Sequence, residues 1–306
     1  MIYKLRHEVF SVALIPRTPP VYDEGLGILQ CCCLTFVDLI MSTSIGDQDT
    51  HFDYGIVGGG CFGASTALAL IREWPDARIV WFEGSASHTA SKDINKIIRT
   101  PYPDKDYVAF AERAMKTWEE VAPYCDFFHR TAWIQTISEN SHRSRMKGPK
   151  DRLISTQELC QMVGSHESPK LDADEDLWLN EDIGYVDSAS AVEAVAKEAS
   201  KLGVFRVLKD VSTLVIEDGI CTGFESNYRR VSAGKTIIAA GPWTPYLLES
   251  SKVEIPKDFF TIAGVGVATM LLHETEFSEM KSMPILVTES GMFCFVYQTL
   301  SQLTHV

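Results

Sequence analysis

Between Asp53 and Glu83 the chain reads as a short apolar run, a glycine cluster, a helical stretch and a second apolar run that ends in an acid. Few folds accept that order. It is the opening β-α-β unit of a sheet that wraps a dinucleotide. Tyr54-Gly55-Ile56-Val57 predicts the first strand. In Gly58-Gly59-Gly60-Cys61-Phe62-Gly63, Gly58 allows the tight turn, Gly60 lets backbone approach a pyrophosphate, and Gly63 lets the helix pack close to the sheet. The helix predicted over about 61–74 points its N-terminus, with free N–H groups and a partial positive charge, at the phosphates. Arg78-Ile79-Val80-Trp81-Phe82 predicts the second strand, and Glu83 stands at its tip, where a carboxylate accepts hydrogen bonds from both ribose hydroxyls. An acid at that place disfavours a 2′-phosphate and so argues against NADP. The fingerprint alone does not separate NAD from FAD.

Length and composition fit a globular enzyme. A chain of 306 residues, 45% hydrophobic, can bury one large core or two modest ones. Its net charge of −13 argues against nucleic acid and anionic membrane as partners. The eight cysteines include an adjacent Cys31-Cys32-Cys33 but no CxxC pair and no Cys/His cluster with metal spacing, so a reduced compartment and no metal are expected. The run from Leu26 to Met41 is apolar, but Gln30 and Asp38 interrupt it and it is too short to span a bilayer. It also follows Pro16, Pro19 and Pro20, too far in for a secretory signal. With Met41 available as a start, residues 1–40 are expected to be a dispensable extension, the alternative being a cryptic anchor or targeting segment.

Further along, Tyr107, Phe110, Ala111, Ala114, Trp118 and Val121 recur at helical spacing and predict an amphipathic helix over about 104–122 with that face in the core. Phe128 to Ile137 predicts a strand. Ser155 caps a short helix, and Asp187 or Ser188 caps another that Gly203 ends. Val204–Leu208, Val211–Ile216, Ile220–Glu225 and Lys235–Ala240 predict strands, with Asp218-Gly219 as a hairpin turn. Thr261–Leu272 predicts a strand of a second sheet, and Ile285–Thr288 pairs with Met292–Val296. Asn140 to Lys150 and the acidic run Asp172–Asp176 are expected as exposed loops.

Three stretches carry a family resemblance. Ser91-Lys92-Asp93-Ile94-Asn95-Lys96-Ile97-Ile98-Arg99 with Pro101-Tyr102 and the following helix is the first. Thr236-Ile237-Ile238-Ala239-Ala240-Gly241-Pro242-Trp243-Thr244 is the second, and Gly184-Tyr185-Val186-Asp187-Ser188 the third and weakest. Over about 53–295 the chain resembles the flavin-dependent amine oxidases of the D-amino-acid-oxidase superfamily, in the sarcosine oxidase, fructosyl-amino-acid oxidase and saccharopine oxidase group. The resemblance implies an α/β fold in which an FAD-binding Rossmann-like domain, 53–124 and 185–255, interleaves with a mixed-sheet substrate domain, 125–184 and 256–297. Residues 1–52 and 298–306 fall outside it.

The same resemblance implies the site. Gly58, Gly60, Cys61, Phe62, Gly63, Glu83, Asn95, Lys96, Val211, Ala240, Gly241 and Trp243 would contact FAD. Lys96 matches a basic residue over one face of the isoalloxazine ring. Arg99, taken as one helical turn on, matches the arginine that grips the substrate carboxylate, a task its bidentate fork suits and lysine does not. The implied reaction is oxidation of the C–N bond of a secondary amino acid by hydride transfer to flavin, with hydrolysis of the imine. Oxygen is the acceptor and hydrogen peroxide the product. A small-molecule partner, no membrane, a monomer, and a place in the cytoplasm or peroxisome go with it.

The chain departs from the family in two ways. Thr261 to Met270 lacks the lysine that family members place on the other flavin face, with Lys257 near but out of register. The family also continues beyond the position of Val306 with a flavin-linked cysteine and a closing segment; Cys294 lacks the flanking pattern and reads as core. Weak turnover is therefore expected of this chain. Two other readings stay open: a family member that binds dinucleotide without turnover, and an NAD-dependent dehydrogenase.

Overall fold

The computed structural model describes residues 9–16, 51–85, 89–93, 96–138, 148, 150–164, 175–226, 229–257, 259–262, 264–288 and 293–296. Their strands form two sheets. In chain order the strands are β1 (Val9–Pro16), β2 (His51–Val57), β3 (Ile79–Phe82), β4 (Lys96–Ile98), β5 (Phe128–Ser138), β6 (Arg152–Ile154), β7 (Glu175–Val186), β8 (Phe205–Val207), β9 (Val211–Glu217), β10 (Ile220–Ser226), β11 (Arg229–Ile238), β12 (Val265–Leu272), β13 (Ile285–Val287) and β14 (Phe293–Val296). The helices are α1 (Cys61–Glu73), α2 (Lys105–Glu120), α3 (Thr156–Val163), α4 (Ser188–Lys201), α5 (Thr244–Ser250) and α6 (Glu274–Met280).

The six-stranded sheet runs β8-β3-β2-β11-β10-β9. Strands β8, β3, β2 and β11 are parallel, and β9 and β10 close it as an antiparallel meander. A parallel strand buried on both faces should read as an unbroken apolar run, and Ile79-Val80-Trp81-Phe82 does, with every residue buried. One face takes α1 and α4, through Ala64, Ala67, Leu68 and Ile71 against Val195, Ala196 and Ala199 over Ile56, Ile79 and Trp81. The small residues at this contact let the two helices lie close together. The opposite face is covered by Leu214, Phe224, Val231 and Leu247 over Val57, Val80 and Phe82. The hairpin at Asp218-Gly219 has both residues at positive φ, 50° and 78°, as a tight primed turn requires.

The second sheet has eight strands in the order β12-β1-β14-β13-β5-β7-β4, with β6 alongside β7. Its spine is the long antiparallel β5–β7 pair, with a register shift between Thr131 and Trp133. On one face Trp133 packs with Ile183, Ile285 and Val287, and on the other Ile134 packs with Leu159, Leu177 and Leu179. The caps on α3 and α4 are as expected. Ser155 accepts from the Glu158 N–H at 3.1 Å and Asp187 from the Ser190 N–H at 3.0 Å, and Gly164 ends α3 at φ 68°.

Four sequence expectations need correction. Lys96–Ile98 is a strand, not a helical turn, and it pairs antiparallel with Gly184–Val186 in the second sheet although it lies within 53–124. The β-branched Ile97-Ile98 pair favours that extended state. Residues 1–40 were expected to add nothing, yet Val9–Pro16 pairs in parallel with β12 along its whole length and with β14 on its other side. The apolar face of α2 is not in the core. Tyr107 is 63% exposed and Phe110 61%, and Met115, outside the predicted stripe, is the helix's buried residue. Periodicity fixes which face is apolar, not whether another element covers it. Among the described residues, Tyr102 and Tyr124 bring rings to Tyr107 and Trp118. Finally, Glu175 and Asp176 of the acidic run belong to β7 rather than to a loop. The expected loop over 140–147, the apolar run Leu26–Met41, the triple cysteine and Asn95 lie outside the described residues, as does the Cys294 side chain.

Candidate dinucleotide-binding site

At the C-terminal edge of the parallel strands a cavity of about 720 Å³ opens, within the size range of ligand sites. Its floor is the Val57–Phe62 turn. One wall is the β3 tip with Phe82, Glu83 and Gly84, and the others are the Thr89–Lys92 turn, Lys209–Ser212 and the Ala239–Trp243 turn that leads into α5. Of the expected cofactor contacts, Gly58, Gly60, Cys61, Phe62, Glu83, Val211, Ala240, Gly241 and Trp243 lie on this surface.

The glycines are required by what stands next to them. Gly58 has φ 119°, and a Cβ there would overlap the Ala239 carbonyl. A Cβ on Gly63 would overlap the Gly58 oxygen, which also accepts the Trp81 indole N–H at 2.8 Å. The turn, the helix and the second strand are thus locked at one point. Gly63 packs and does not line the cavity. Helix α1 starts with no acid in its first turn and no side-chain cap on Gly60, so its positive end is not neutralised from within the helix. The Cys61 N–H donates to Ser91 Oγ at 2.9 Å.

Glu83 is 7% exposed. Arg206 grips one carboxylate oxygen, Oε2, with Nε at 3.0 Å and Nη2 at 2.6 Å, while its Nη1 and Nη2 reach Glu193 at 3.1 and 2.7 Å. The guanidinium lies over the Trp81 ring, 5.2 Å from its centre. Burial alone would lower the Arg206 pKa, but its hydrogen bonds to Glu193 and Glu83 raise it above the ordinary value. Lys92 Nζ stands 3.3 Å from the other Glu83 oxygen, Oε1. Beyond the strand tip, Asp210 accepts from the Ser85 N–H and hydroxyl, each at 2.9 Å, and so fixes the next turn of chain.

Sequence reading missed this support. Gly59 occupies a variable place in the fingerprint, yet a Cβ on it would overlap the Glu83 side chain. Arg206, Glu193 and Asp210 are far from Glu83 in sequence and belong to no local motif. An arginine on a strand flanking β3 was the one available signal.

Lys96 and Arg99 lie elsewhere. Neither lines the cavity. In extended chain a spacing of three puts them on opposite faces, not on one. Lys96 pairs with Asp93. Arg99 donates to the Pro101 carbonyl at 2.7 Å and lies 4.2 Å from the Tyr102 ring centre and 5.6 Å from that of Trp133. The Arg99 side of β4 carries Ile97, which packs with Trp133 and Tyr185. Two residues along β5 from Trp133, on the same face, is Gln135, 1% exposed. Among the described residues, neither atom of its amide has a hydrogen-bond partner, and neither has the Trp133 indole N–H. Buried polar atoms left without partners are costly. Tyr185, on the same face, has its pKa raised by burial.

The donor set suits an adenine dinucleotide. It offers a buried acid at the β3 tip, a glycine turn that side chains would fill, and an unneutralised helix start. Residues 53–304 match the DAO family, FAD dependent oxidoreductase, a stretch that runs on into the segment beyond 297. The L-saccharopine oxidase of Schizosaccharomyces pombe is 26% identical over 269 residues, covering 78% of this chain and 61% of that protein. The fold is that of fructosyl amine:oxygen oxidoreductase (Amadoriase I) from Aspergillus fumigatus. That match has a TM-score of 0.60 at 20% identity and covers 79% of this chain and 59% of the other. It is likewise that of fructosamine oxidase (Amadoriase II) from the same organism, TM-score 0.60 at 18% identity, covering 78% and 59%. The chain thus spans about six-tenths of the length of these relatives. FAD is the cofactor of the family, and the α/β architecture with its cofactor cavity at the β2–α1 turn agrees with it. The chain belongs to the DAO family of FAD dependent oxidoreductases.

Proposed function

We propose that the chain binds FAD in this cavity and oxidises the C–N bond of a secondary amino acid. The observation that carries the reading is the glycine turn under Glu83, where a Cβ on Gly58, Gly59 or Gly63 would overlap a neighbour and a buried carboxylate stands opposite the helix start. Glu83 and the Gly58–Gly63 turn would hold the ribose and diphosphate, and Ala240, Gly241 and Trp243 would line the remaining wall. Asn95 belongs to the same proposal by family match. When bound, the flavin supplies the two-electron acceptor, with oxygen as terminal oxidant reduced to hydrogen peroxide. The residues of the second sheet would orient the amine. Arg99 would take the carboxylate in its guanidinium fork, and Lys96 would add positive charge near the ring. Water would hydrolyse the imine released. The named activity of the fission-yeast relative favours a saccharopine-like amino acid, and sarcosine, pipecolate and fructosyl amino acids are the other members of the class to be tried.

A second reading, binding without turnover, is favoured by one observation. Lys96 is engaged with Asp93 and Arg99 with the Pro101 carbonyl, so part of the charge and donor capacity of each is already committed within the chain. One experiment separates the two. The purified full chain is scanned for flavin absorbance before and after acid precipitation, then assayed for peroxide with saccharopine, pipecolate, sarcosine and a fructosyl amino acid. Flavin bands with peroxide from one of these support oxidation. Flavin bands with no peroxide support binding alone, and the absence of flavin after incubation with FAD rejects both. A small-molecule substrate, a monomeric state and a cytoplasmic or peroxisomal location complete the proposal. Among the described residues no helix is long and apolar enough to cross a membrane.

A further inference from the structure

The two oxygens of Glu83 are held in different ways. Oε2 is gripped twice by Arg206, whose side chain is 10% exposed and does not line the cavity. Glu193 fixes the far edge of the same guanidinium. That grip is buried and double, so Oε2 is fixed. Oε1 is the oxygen left to serve a ribose, and Lys92 stands on it with one contact at 3.3 Å. The Lys92 side chain is 38% exposed and lies on the cavity wall. An exposed single contact of this kind is weak and exchanges readily. Its neighbour Ser91 accepts the Cys61 N–H at 2.9 Å, so the backbone that carries Lys92 lies beside the first residue of α1. From there a four-carbon stem reaches either the Glu83 carboxylate or the space over the helix start.

The charges on the wall make that choice matter. Among the described residues, its cations are Lys92 and Lys209, and its acids are Glu83, Asp210 and Glu249. A dianionic diphosphate entering such a wall needs a mobile cation, and a ribose needs Oε1 uncovered. One movement of Lys92 meets both needs.

We propose that Lys92 is a diphosphate-binding residue of this site, shared between Glu83 Oε1 and the diphosphate of an adenine dinucleotide. The inference rests on the reading of the cavity as a dinucleotide site. When Lys92 leaves Glu83 for the diphosphate, Oε1 becomes free to accept a ribose hydroxyl, so the two halves of the ligand are recognised together. A purely structural lysine would hold the Thr89–Lys92 turn against Glu83 and would affect every ligand alike.

The test measures the binding of ADP and of adenosine to the full chain by calorimetry, with FAD as competitor, for the unmodified protein, Lys92→Met and Lys92→Arg. For Lys92→Met, ADP should bind about tenfold or more weakly and with a shallower dependence on salt, since one charge has gone. Adenosine, which has no phosphate, should bind as well or more tightly, because Oε1 is no longer covered. Lys92→Arg should restore ADP binding. Unchanged ADP affinity in Lys92→Met would overturn the proposal, and so would an equal loss for ADP and adenosine. If the unmodified chain binds neither ADP nor FAD, the reading of the cavity fails, and the proposal with it. Binding by the unmodified chain with no effect of Lys92→Met removes the proposal alone.

Discussion

Glu83 is at once a ligand group and a structural ion. Replacing it with alanine should remove the ribose hydrogen bond to Oε1, about 1.5–3 kcal/mol when one partner is charged. It should also leave Arg206 buried with Glu193 as its remaining partner among the residues described, and removing one side of a buried pair costs roughly 3–5 kcal/mol. Glu83→Ala is therefore expected to lose both flavin retention and thermal stability, whereas a residue that only touched the ligand would lose the first alone. Absorbance of the purified variant and its unfolding midpoint check this together; full flavin retention would reject the ribose assignment. Arg99 makes a different prediction. In an active preparation, Arg99→Lys should raise KM for an amino acid far more than for an amine lacking a carboxylate, because the first alone uses the fork. Equal changes for both substrates would mean that Arg99 does not hold the carboxylate. At this scale the sequence showed what lies in one local motif: the glycines, the strand tip and its acid. Arg206, Glu193 and Asp210 could not be read that way, because what joins them to Glu83 is the parallel order of β8 and β3, set by packing over a long stretch of chain.

Elements were legible where periodicity and caps agreed. Strands β9 and β10, the β5 strand and helices α3 and α4 follow from alternation, turn residues and Ser or Asp caps, and α1 from the glycine fingerprint, whereas β11 begins at Arg229, six residues before the expected Lys235. At Lys96–Ile98 the Lys-x-x-Arg spacing suits a helix, but Ile97-Ile98 and an available β7 edge decide for a strand. The N-terminal strand could not be foreseen, since its partners lie some 250 residues away. Its position predicts that deleting residues 1–40 exposes the facing edges of β12 and β14 and lowers solubility. A soluble deletion variant with an unchanged unfolding midpoint would show that β1 adds nothing to the sheet. In the β5–β7 pair, Asp182 receives hydrogen bonds from Lys150 and from Arg130, the latter at 2.6 Å, and these hold its carboxyl below its ordinary value of 3.8 despite partial burial. The sign follows from linkage. A carboxyl depressed in the folded chain contributes stability that is fully present above its unfolded pKa and is lost as pH falls through the folded one. Asp182→Asn should thus be less stable than the parent at pH 7, and the gap should close as pH falls below about 4. A gap independent of pH would mean that the charge does not matter.

The whole molecule poses one geometrical question: whether one ligand spans both sheets. The cavity belongs to the six-stranded sheet, and the Lys96–Arg99 segment to the edge of the other. An adenine nucleotide alone should reach the first, while the complete flavin dinucleotide should reach both if the proposed roles of Lys96 and Arg99 hold. Either ligand at 100 times its Kd should stabilise the state it binds by about 2.7 kcal/mol. For a unit of 150–250 residues this corresponds to roughly 5–10 °C in the unfolding midpoint. Hydrogen exchange then locates the effect. ADP should protect the backbone of 58–62, 83–85, 209–212 and 239–243 and leave 96–99 and 183–186 unchanged. FAD should protect the same stretches and also 96–99 with its β7 partner. Identical maps for the two ligands would separate Lys96 and Arg99 from the flavin and leave the chain with a dinucleotide site alone. An equal midpoint shift with NAD in place of FAD would mean that the cavity reads the shared adenine half and nothing beyond it.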